Sequence, residues 1–196
     1  MSGMALTVAF EARLTMKTPQ QLHVSYRLQN KTNGDLCVFD RLYRTQPSGE
    51  RIMDENMAYI LFEKQVTLHI TRSVIRIPDG LKVEYPEVPY ARLLAAGATL
   101  EASFLLAVPV VEVHPYLEPL MSDRAKERSC KSVYFSLGIA PKKPDLNLRE
   151  LTAVGKGIYA ADYGPALMLQ QVLKSSPVAM PLTALIHDPR PKWLPD

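Results

Sequence analysis

The sequence predicts an all-β fold, an antiparallel sandwich of seven or eight strands with long decorating loops and at most one or two short helices. Two observations lead to this prediction. Apolar and polar residues alternate in many short segments, and prolines and polar turns separate those segments. The 196 residues include 16 prolines and only 9 glycines, and 47% are hydrophobic. This composition excludes a disordered polymer, a collagen, a coiled coil and a disulfide miniprotein.

The clearest alternation lies near the N-terminus. Apolar residues occupy every second position of residues 6–16, and again of residues 22–28. Because successive side chains of a strand point to opposite faces of a sheet, each segment predicts a strand with one buried face. Asn33 and Gly34 follow, and both tolerate the positive φ of a tight hairpin turn. Residues 36–40 are therefore the expected partner strand.

Further strands are expected along the middle of the chain. Residues 57–62 and 66–77 are apolar and β-branched, and a slip in the alternation of the second segment indicates a bulge. Residues 100–106 and 133–139 alternate as clearly as the N-terminal segments do. Residues 41–56 are polar and contain Pro, Ser and Gly together, so we interpret them as a long loop.

Helix is expected in few places. Residues 121–129 are the best candidate for a short helix, with Ser122 or Asp123 as its N-cap. Residues 167–173 fit a helix or a strand equally well on length. We favour a strand there because the rest of the chain is β.

The C-terminal segment is rich in proline. Residues 177–196 contain five prolines, which lack the N–H that a central strand donates. We therefore predict a single sandwich domain at residues 1–176, followed by a proline-rich tail. The tail carries Arg190, Trp193 and Leu194, and Trp and Arg are favoured anchors at protein interfaces. Trp193 either docks on a partner or packs back on its own domain.

One part of the chain resembles a common immunoglobulin-like pattern. In residues 24–32 an alternating strand ends in Asn30 and a polar turn follows, before an apolar strand at residues 36–39. The entry into a later strand at residues 96–100 is similar to the same class. At this level the chain resembles intracellular bacterial sandwich proteins, which include an intracellular proteinase inhibitor of Bacillus. The resemblance implies an immunoglobulin-like sandwich and assigns no site residues.

Charge and termini argue against nucleic-acid and membrane partners. The net charge is +3, from 23 basic and 20 acidic residues, whereas a nucleic-acid face needs a denser basic patch. The longest apolar run, at residues 104–111, is too short to cross a bilayer. The N-terminus lacks the basic region of a signal peptide, so we expect a cytoplasmic protein. An export signal removed before Met1 would leave the same sequence.

We single out four residues whose side chains can react or bind a metal. They are two cysteines and one carboxylate–imidazole pair. Cys37 lies in an apolar run and is expected to be a buried free thiol, although a disulfide with Cys130 stays open. Glu112 and His114 lie on one side of an extended segment, where they can hold a metal or perform acid–base chemistry. The alternative for this pair is a solvated polar loop. We assign no catalytic residue and expect no cofactor.

The remaining histidines and tyrosines carry weaker signals. His23 and His69 fall on the polar phases of strands and are expected to be solvated. Five tyrosines lie outside the clearest strands, and on loops they can form a ligand platform or an interface patch. The alternative is loops that fold over the ends of the sandwich, with each ring buried and its hydroxyl in water. The five are Tyr85, Tyr90, Tyr116, Tyr159 and Tyr163, of which we select Tyr116 as a binding residue.

These residues favour a non-catalytic module that binds a protein or another ligand. Two alternatives from other classes stay open: a metal-dependent or acid–base enzyme that uses Glu112 and His114, and a structural subunit of a homo-oligomeric assembly. The expected partner is another protein or a second copy of the chain, bound through the loops, a sheet edge or the tail. Proteinase inhibition is one specific version, in which residues 108–119 enter a proteinase cleft.

Overall fold

The computed structural model describes residues 6–63, 66–191 and 193–194, and strands dominate them. The all-β prediction is confirmed. The helical elements among these residues are one α-helix, α1 (Tyr163–Leu169), and two short 3-10 turns, Ser122–Arg124 and Pro144–Leu146. The strands are β1 (Val8–Thr18), β2 (Gln21–Asn30), β3 (Leu36–Arg41), β4 (Tyr43–Thr45), β5 (Arg51–Met53), β6 (Tyr59–Glu63), β7 (Thr67–Arg72), β8 (Tyr90–Leu94), β9 (Thr99–Ala107), β10 (Val110–Val111), β11 (Ala125–Pro141), β12 (Arg149–Glu150), β13 (Ile158–Ala160), β14 (Gln171–Lys174) and β15 (Val178–His187).

Two sheets pack face to face to form the sandwich. The smaller sheet has the strand order β1-β2-β9. The larger sheet, with ten strands among the described residues, has the order β10-β15-β11-β3-β8-β13-β12. Strands β7 and β14 join it by pairing with β11, and β6 pairs with β7. Strands β4 and β5 form a separate hairpin within the segment that we interpreted as a loop.

The main core lies between the two sheets. On β2, Leu22, Val24 and Leu28 are fully buried, and the residues of the opposite phase are at least partly exposed. Phe135 and Leu137 of β11 belong to the same buried cluster. Full burial of each such side chain contributes about 1.5–3 kcal/mol. The alternation of β2 is therefore confirmed as the signal of a half-buried strand, whereas residues 133–140 of β11 are buried on both faces.

Strand β11 is the central strand of the larger sheet. It pairs with β15 and then β14 along one side, and with β7 and then β3 along the other. The β7–β11 and β10–β15 pairs are parallel, and the remaining pairs are antiparallel. The antiparallel prediction thus holds for all of the sheet except these two pairs.

The helix predicted at residues 121–129 is wrong. Only Ser122–Arg124 forms a 3-10 turn, and its N-cap is Met121, with no side-chain cap. From Ala125 onward the chain is β11, whose first residue pairs with His187 of β15. The strand is favoured because pairing satisfies the backbone N–H and C=O groups, whereas an isolated helix this short is only marginally stable.

Residues 167–173 divide between two elements. Helix α1 ends at Leu169 and β14 begins at Gln171. The helical interpretation therefore holds for the first part and the favoured strand only for the second. Neither α1, with seven residues, nor any other helix in the described ranges is long and apolar enough to span a membrane.

Half of the predicted tail, residues Val178–His187, belongs to the larger sheet. Residues Val178–His187 form β15, which pairs with β11. Pro181 lies where the register shifts between Cys130 and Ser132, so its missing N–H falls at a bulge and not in the regular ladder. The sandwich therefore extends past residue 176, and the described part of the chain leaves the sheet only after His187.

The outer face of the larger sheet carries a second, smaller core beneath α1. Gln170, just after α1, exchanges two hydrogen bonds with the backbone of Val74. The Val74 N–H donates to Oε1 (3.1 Å), and Nε2 donates to the Val74 carbonyl (2.7 Å). A Cβ at Gly138 of β11 would lie 2.8 Å from Gln170 Oε1 and 2.9 Å from Ser73 Cβ. Glycine at 138 thus allows this close approach, which ties α1 to the loop that follows β7.

Both cysteines are free thiols, and both are buried. Cys37 lies in the second core, as expected from its apolar neighbours in the sequence, and Cys130 lies in the main core. Burial raises the pKa of each thiol to about 11. Both therefore stay protonated at neutral pH, which makes them poor nucleophiles.

Candidate functional site

The structure brings Glu112 together with His187 and Arg190, a set that we call the Glu112 cluster. Glu112 lies just after β10, and its carboxylate is buried. Oε2 accepts a hydrogen bond from the His187 backbone N–H and lies 3.0 Å from His187 Nδ1. Oε1 forms an ion pair with Arg190 Nη1 at 3.2 Å. The carboxylate is thus engaged by groups that follow it by more than seventy positions in the sequence.

His187 joins this cluster to the segment that precedes the 3-10 turn. Its Nδ1 faces the Glu112 carboxylate, and its Nε2 lies 3.0 Å from the Glu118 carbonyl. Both partners are acceptors, so the ring satisfies both when both of its nitrogens carry protons. Arg190 also donates to the Phe62 carbonyl (3.2 Å). These bonds hold the residues after β15 against the sandwich.

His114 lies beside the cluster and contacts the end of the chain. Its Nδ1 accepts a hydrogen bond from the Tyr116 N–H (3.1 Å), and its ring lies 5.1 Å from the Trp193 ring. Leu194 is buried. Burial lowers the pKa of His114 to about 4, and the charge of His187 adds to that shift. His114 is therefore neutral at pH 7, and Trp193 packs back on its own domain.

Five of the six residues that we selected from the sequence take part in these packed contacts, and the sixth, Leu194, is buried. Glu112 faces His187 and Arg190, whereas His114 faces Tyr116 and Trp193. The described residues contain no group of three His, Cys, Asp or Glu side chains placed to hold a metal ion. As it stands, this arrangement holds the C-terminal segment in place.

His69 is buried, so the prediction that it is solvated is wrong. It stacks on Tyr134 at 4.3 Å between ring centroids, which excludes water from its ring. Its Nδ1 lies 3.1 Å from Glu63 Oε1, and its Nε2 lies 2.7 Å from Ser136 Oγ. The hydrogen bond to His69 also lowers the pKa of the Glu63 carboxyl. Sequence reasoning missed this cluster because its members lie on three different strands.

The Glu63–His69–Ser136 arrangement has the order of an acid–histidine–serine triad but not the access that catalysis needs. Ser136 is fully buried in the central strand β11. Its hydroxyl donates to Thr71 Oγ1 (2.7 Å) and not to the histidine. A nucleophilic serine must donate to the histidine and reach the substrate. These residues therefore form a polar network inside the fold.

A buried ion pair inside the sandwich was also not predicted. Asp40 of β3 accepts hydrogen bonds from Arg92 and from the Tyr26 hydroxyl (2.6 Å). Arg72 is buried as well; it donates to two backbone carbonyls and lies 3.8 Å from the centre of the Phe104 ring. These charges are matched by partners within the chain, as buried charges must be.

A cleft at the opposite end of the larger sheet collects several of the loop tyrosines. It lies between the loop that precedes β8 and the segment that joins β13 to α1, and its volume is about 370 Å³. We call it the tyrosine cleft. Its lining residues are Arg51, Glu84, Tyr85, Pro86, Val88, Tyr90, Arg149, Ala160, Ala161, Asp162 and Tyr163.

The tyrosines of the cleft divide between the two interpretations made from the sequence. Tyr85 is 78% exposed, as a binding platform requires. Tyr90 is buried and lies 4.5 Å from the Tyr43 ring, as in a loop that folds over the sheet. The Tyr163 hydroxyl accepts a hydrogen bond from the Ile77 N–H (2.8 Å). Tyr116 contacts the backbone behind the cleft through its hydroxyl, 3.4 Å from the Ile75 carbonyl.

Both arginines of the cleft are paired with carboxylates. Arg51 lies 3.8 Å from Glu87, and Arg149 lies 3.1 Å from Asp162. The Arg51 guanidinium also lies 4.6 Å from the centre of the Tyr43 ring. Burial raises the pKa of the Tyr43 and Tyr90 hydroxyls, so both are neutral at physiological pH. The cleft therefore offers hydrogen-bond donors and ring surface without a strong field of either sign.

A larger and more open hollow lies on the outer face of the smaller sheet, with a volume of about 550 Å³. Its floor includes Ser25 and Ser103, which pair directly across β2 and β9. Its side includes the Arg27–Glu101 ion pair, in which both side chains are well exposed. Such a row of hydroxyl and charged groups is typical of the solvated face of a sheet. The tyrosine cleft is the stronger candidate site.

Comparisons with protein-family models, with curated proteins and with solved structures find no match to this chain. A functional assignment therefore depends on the chain's own residues.

Proposed function

We propose that this protein is a non-catalytic binding module whose tyrosine cleft binds a segment of another protein. The observation that carries the proposal is Tyr85, a large aromatic side chain that is 78% exposed at the mouth of a formed cleft. Tyrosine is enriched at interfaces because its ring buries apolar area while its hydroxyl forms hydrogen bonds. A volume of about 370 Å³ lies within the range of small-ligand and side-chain pockets.

One wall of the cleft is anchored to the loop that follows β7, which favours binding. Tyr163 receives the Ile77 N–H, and Gln170 holds Val74 through two hydrogen bonds. Because the segment around Tyr163 is fixed before a ligand arrives, less conformational entropy is lost on binding. Side chains of the cleft mouth stay free to adapt to a partner.

The immunoglobulin-like assignment belongs to the same proposal. Sandwiches of that class carry recognition loops on a rigid scaffold. The inhibitor version, in which residues 108–119 enter a proteinase cleft, has less support. Glu112 and His114 within that segment are buried against β15 and the end of the chain. The tyrosine cleft is exposed by comparison, and so it is the better binding surface.

The balance of charge favours a protein partner over nucleic acid. Two arginines and two carboxylates line the cleft, whereas a phosphate backbone needs an excess of cations. We also propose a cytoplasmic location. It is supported by the two free, buried thiols, since reducing compartments keep cysteines in that state.

The test is affinity capture from a lysate of the cells that the protein comes from, followed by mass spectrometry. Four full-length proteins are compared: the natural sequence, Tyr85→Ala in the cleft, Trp193→Ala at the end of the chain, and Met121→Ala. Met121 is 62% exposed and lies outside the cleft lining, so it is a matched control for loss of an exposed apolar side chain.

We expect a partner that the natural sequence, Trp193→Ala and Met121→Ala capture and Tyr85→Ala loses. A partner that Tyr85→Ala retains contradicts the cleft as the binding site, and loss with Trp193→Ala transfers the role to the C-terminal segment. Capture of the chain's own copies, together with a doubled mass in light scattering, favours the alternative of a structural subunit. Capture of no partner by any of the four proteins counts against the module itself.

A further inference from the structure

We propose that the ligand of the tyrosine cleft is a proline-rich segment that carries a basic residue beside its prolines. This inference depends on the proposed binding function and adds the chemical class of the ligand. It follows from the hydrogen-bond groups, the rings and the charges that line the cleft.

The two arginines of the cleft have hydrogen-bond donors to offer beyond their ion pairs. Each arginine has five N–H donors, and its pairing with one carboxylate leaves donors over. Asp162, in contrast, already accepts from Arg149 (3.1 Å) and from Asn147 (3.0 Å). The Tyr85 hydroxyl adds a further exposed donor. A matching ligand therefore presents open carbonyl acceptors.

A proline-rich segment has this composition. Proline has no N–H, and the polyproline II helix that it forms leaves every carbonyl open to outside donors. The segment is also extended before it binds, so it loses little conformational entropy.

The apolar part of the lining suits proline rings. Tyr85, Pro86 and Val88 stand in one short stretch of chain, and Ala160 and Ala161 lie across from them. Small alanine side chains leave space, and the tyrosine ring provides a flat surface on which a pyrrolidine ring packs. Aromatic-lined grooves bind proline-rich segments in this way.

The charged side chains of the cleft favour a basic residue beside the prolines of the ligand. Arg51 and Arg149 already pair with Glu87 and Asp162. Glu84 is exposed at the cleft and has no cationic partner among the described residues. An acidic or phosphorylated segment would meet this carboxylate, whereas a Lys or Arg of the ligand would pair with it. The expected segment is therefore basic.

The experiment is a selection of phage-displayed random dodecapeptides on the immobilised full chain, with parallel selections on Tyr85→Ala and Met121→Ala. We expect peptides that the natural sequence and Met121→Ala enrich, that Tyr85→Ala does not, and that contain several prolines and a nearby Lys or Arg. Enriched peptides that depend on Tyr85 but lack proline would overturn the ligand class and leave the binding function in place. Absence of any peptide that depends on Tyr85 would overturn both.

Titration calorimetry with the most enriched peptide then measures how much Tyr85 and Glu84 each contribute to the affinity. We expect Tyr85→Ala to weaken the affinity about tenfold, since aromatic anchors dominate interface energetics. Glu84→Gln is expected to weaken the affinity about threefold, because it removes an exposed ion pair. A control peptide in which Gln replaces the basic residue should bind the natural sequence and Glu84→Gln with equal affinity. Equal loss for both peptides would contradict the pairing with Glu84, and an unchanged affinity in Tyr85→Ala would contradict the site.

Discussion

The Glu112 cluster and the tyrosine cleft use the same kinds of side chains in opposite ways. The Glu112 and Arg190 side chains are 2% and 19% exposed, whereas those of Arg149 and Asp162 are 63% and 43% exposed. A buried carboxylate needs its partners in order to compensate for lost hydration, whereas an exposed pair is already hydrated. The Glu112 cluster thus stabilises the fold, whereas the tyrosine cleft keeps its polar groups accessible to a ligand.

The largest effect is expected from Glu112→Ala, which breaks the buried cluster. The variant removes the buried carboxylate that pairs with Arg190 and accepts the His187 backbone N–H, so the free energy of unfolding should fall by about 3–5 kcal/mol. Urea denaturation followed by circular dichroism measures it. Glu118→Ala is the control, because that carboxylate is 88% exposed and lies 3.7 Å from Arg124. A loss in Glu112→Ala no larger than that of the control would contradict the distinction between the two regions.

Gly138→Ala tests how firmly the cleft wall is tied to the sheet. The new Cβ would lie 2.8 Å from Gln170 Oε1, so we expect a loss of about 1–3 kcal/mol in unfolding free energy and weaker peptide binding. Gly164→Ala in α1 is the matched control, because its Cβ would meet no atom within 4 Å. The control should be neutral or slightly stabilising. Equal stability of the two variants would show that the sheet does not constrain Gln170.

His114 is expected to make the docked C-terminal segment sensitive to acid. Its pKa falls from the ordinary 6.5 to about 4 in the folded protein, so the unfolded chain binds more protons between these values. Its contribution to stability is therefore complete above about pH 6.5 and is lost as the pH falls towards 4. Unfolding free energies at pH 7, 5.5 and 4.5 should show a weaker pH dependence in His114→Asn. The same slope in both proteins would contradict this prediction.

The smallest effect on stability is expected from Tyr85→Ala. An exposed side chain contributes little to folding, so unfolding free energy should change by less than about 0.5 kcal/mol, although the cleft loses its aromatic contact. Tyr90→Ala provides the contrast, because Tyr90 is buried against Tyr43. Thermal unfolding of the two variants compares them directly. A large loss in Tyr85→Ala would show that this ring supports the fold and is not reserved for a ligand.

Part of the candidate site was foreseeable from the sequence. Tyr85 stands between charged residues and next to Pro86, a context that predicts an exposed loop. Arg51 and Arg149, by contrast, lie on strands far apart in the sequence, and only the tertiary arrangement of the β4–β5 and β12–β13 pairs brings them to one cleft. No local pattern marks them as neighbours.

Contacts between distant parts of the chain also explain two errors of the sequence-based predictions. Ala125 and the residues after it have no strong alternation, yet they form a strand because β15 pairs with them. His69 lies on a polar phase of its strand, yet it is buried because Tyr134 and Glu63 come from neighbouring strands. In both places a partner from a distant part of the chain overrode the local preference.

The sequence by itself determined the all-β class, the faces of strands such as β2, and the selection of residues such as Glu112 and Trp193. These depend on neighbours along the chain, because strand periodicity and turn chemistry are local properties. Only the tertiary structure decided that Glu112 would be buried against His187 and Arg190, and that Tyr85 would stay exposed. Burial and charge pairing depend on which strands lie side by side, and contacts between distant residues leave no periodic signal in a single sequence.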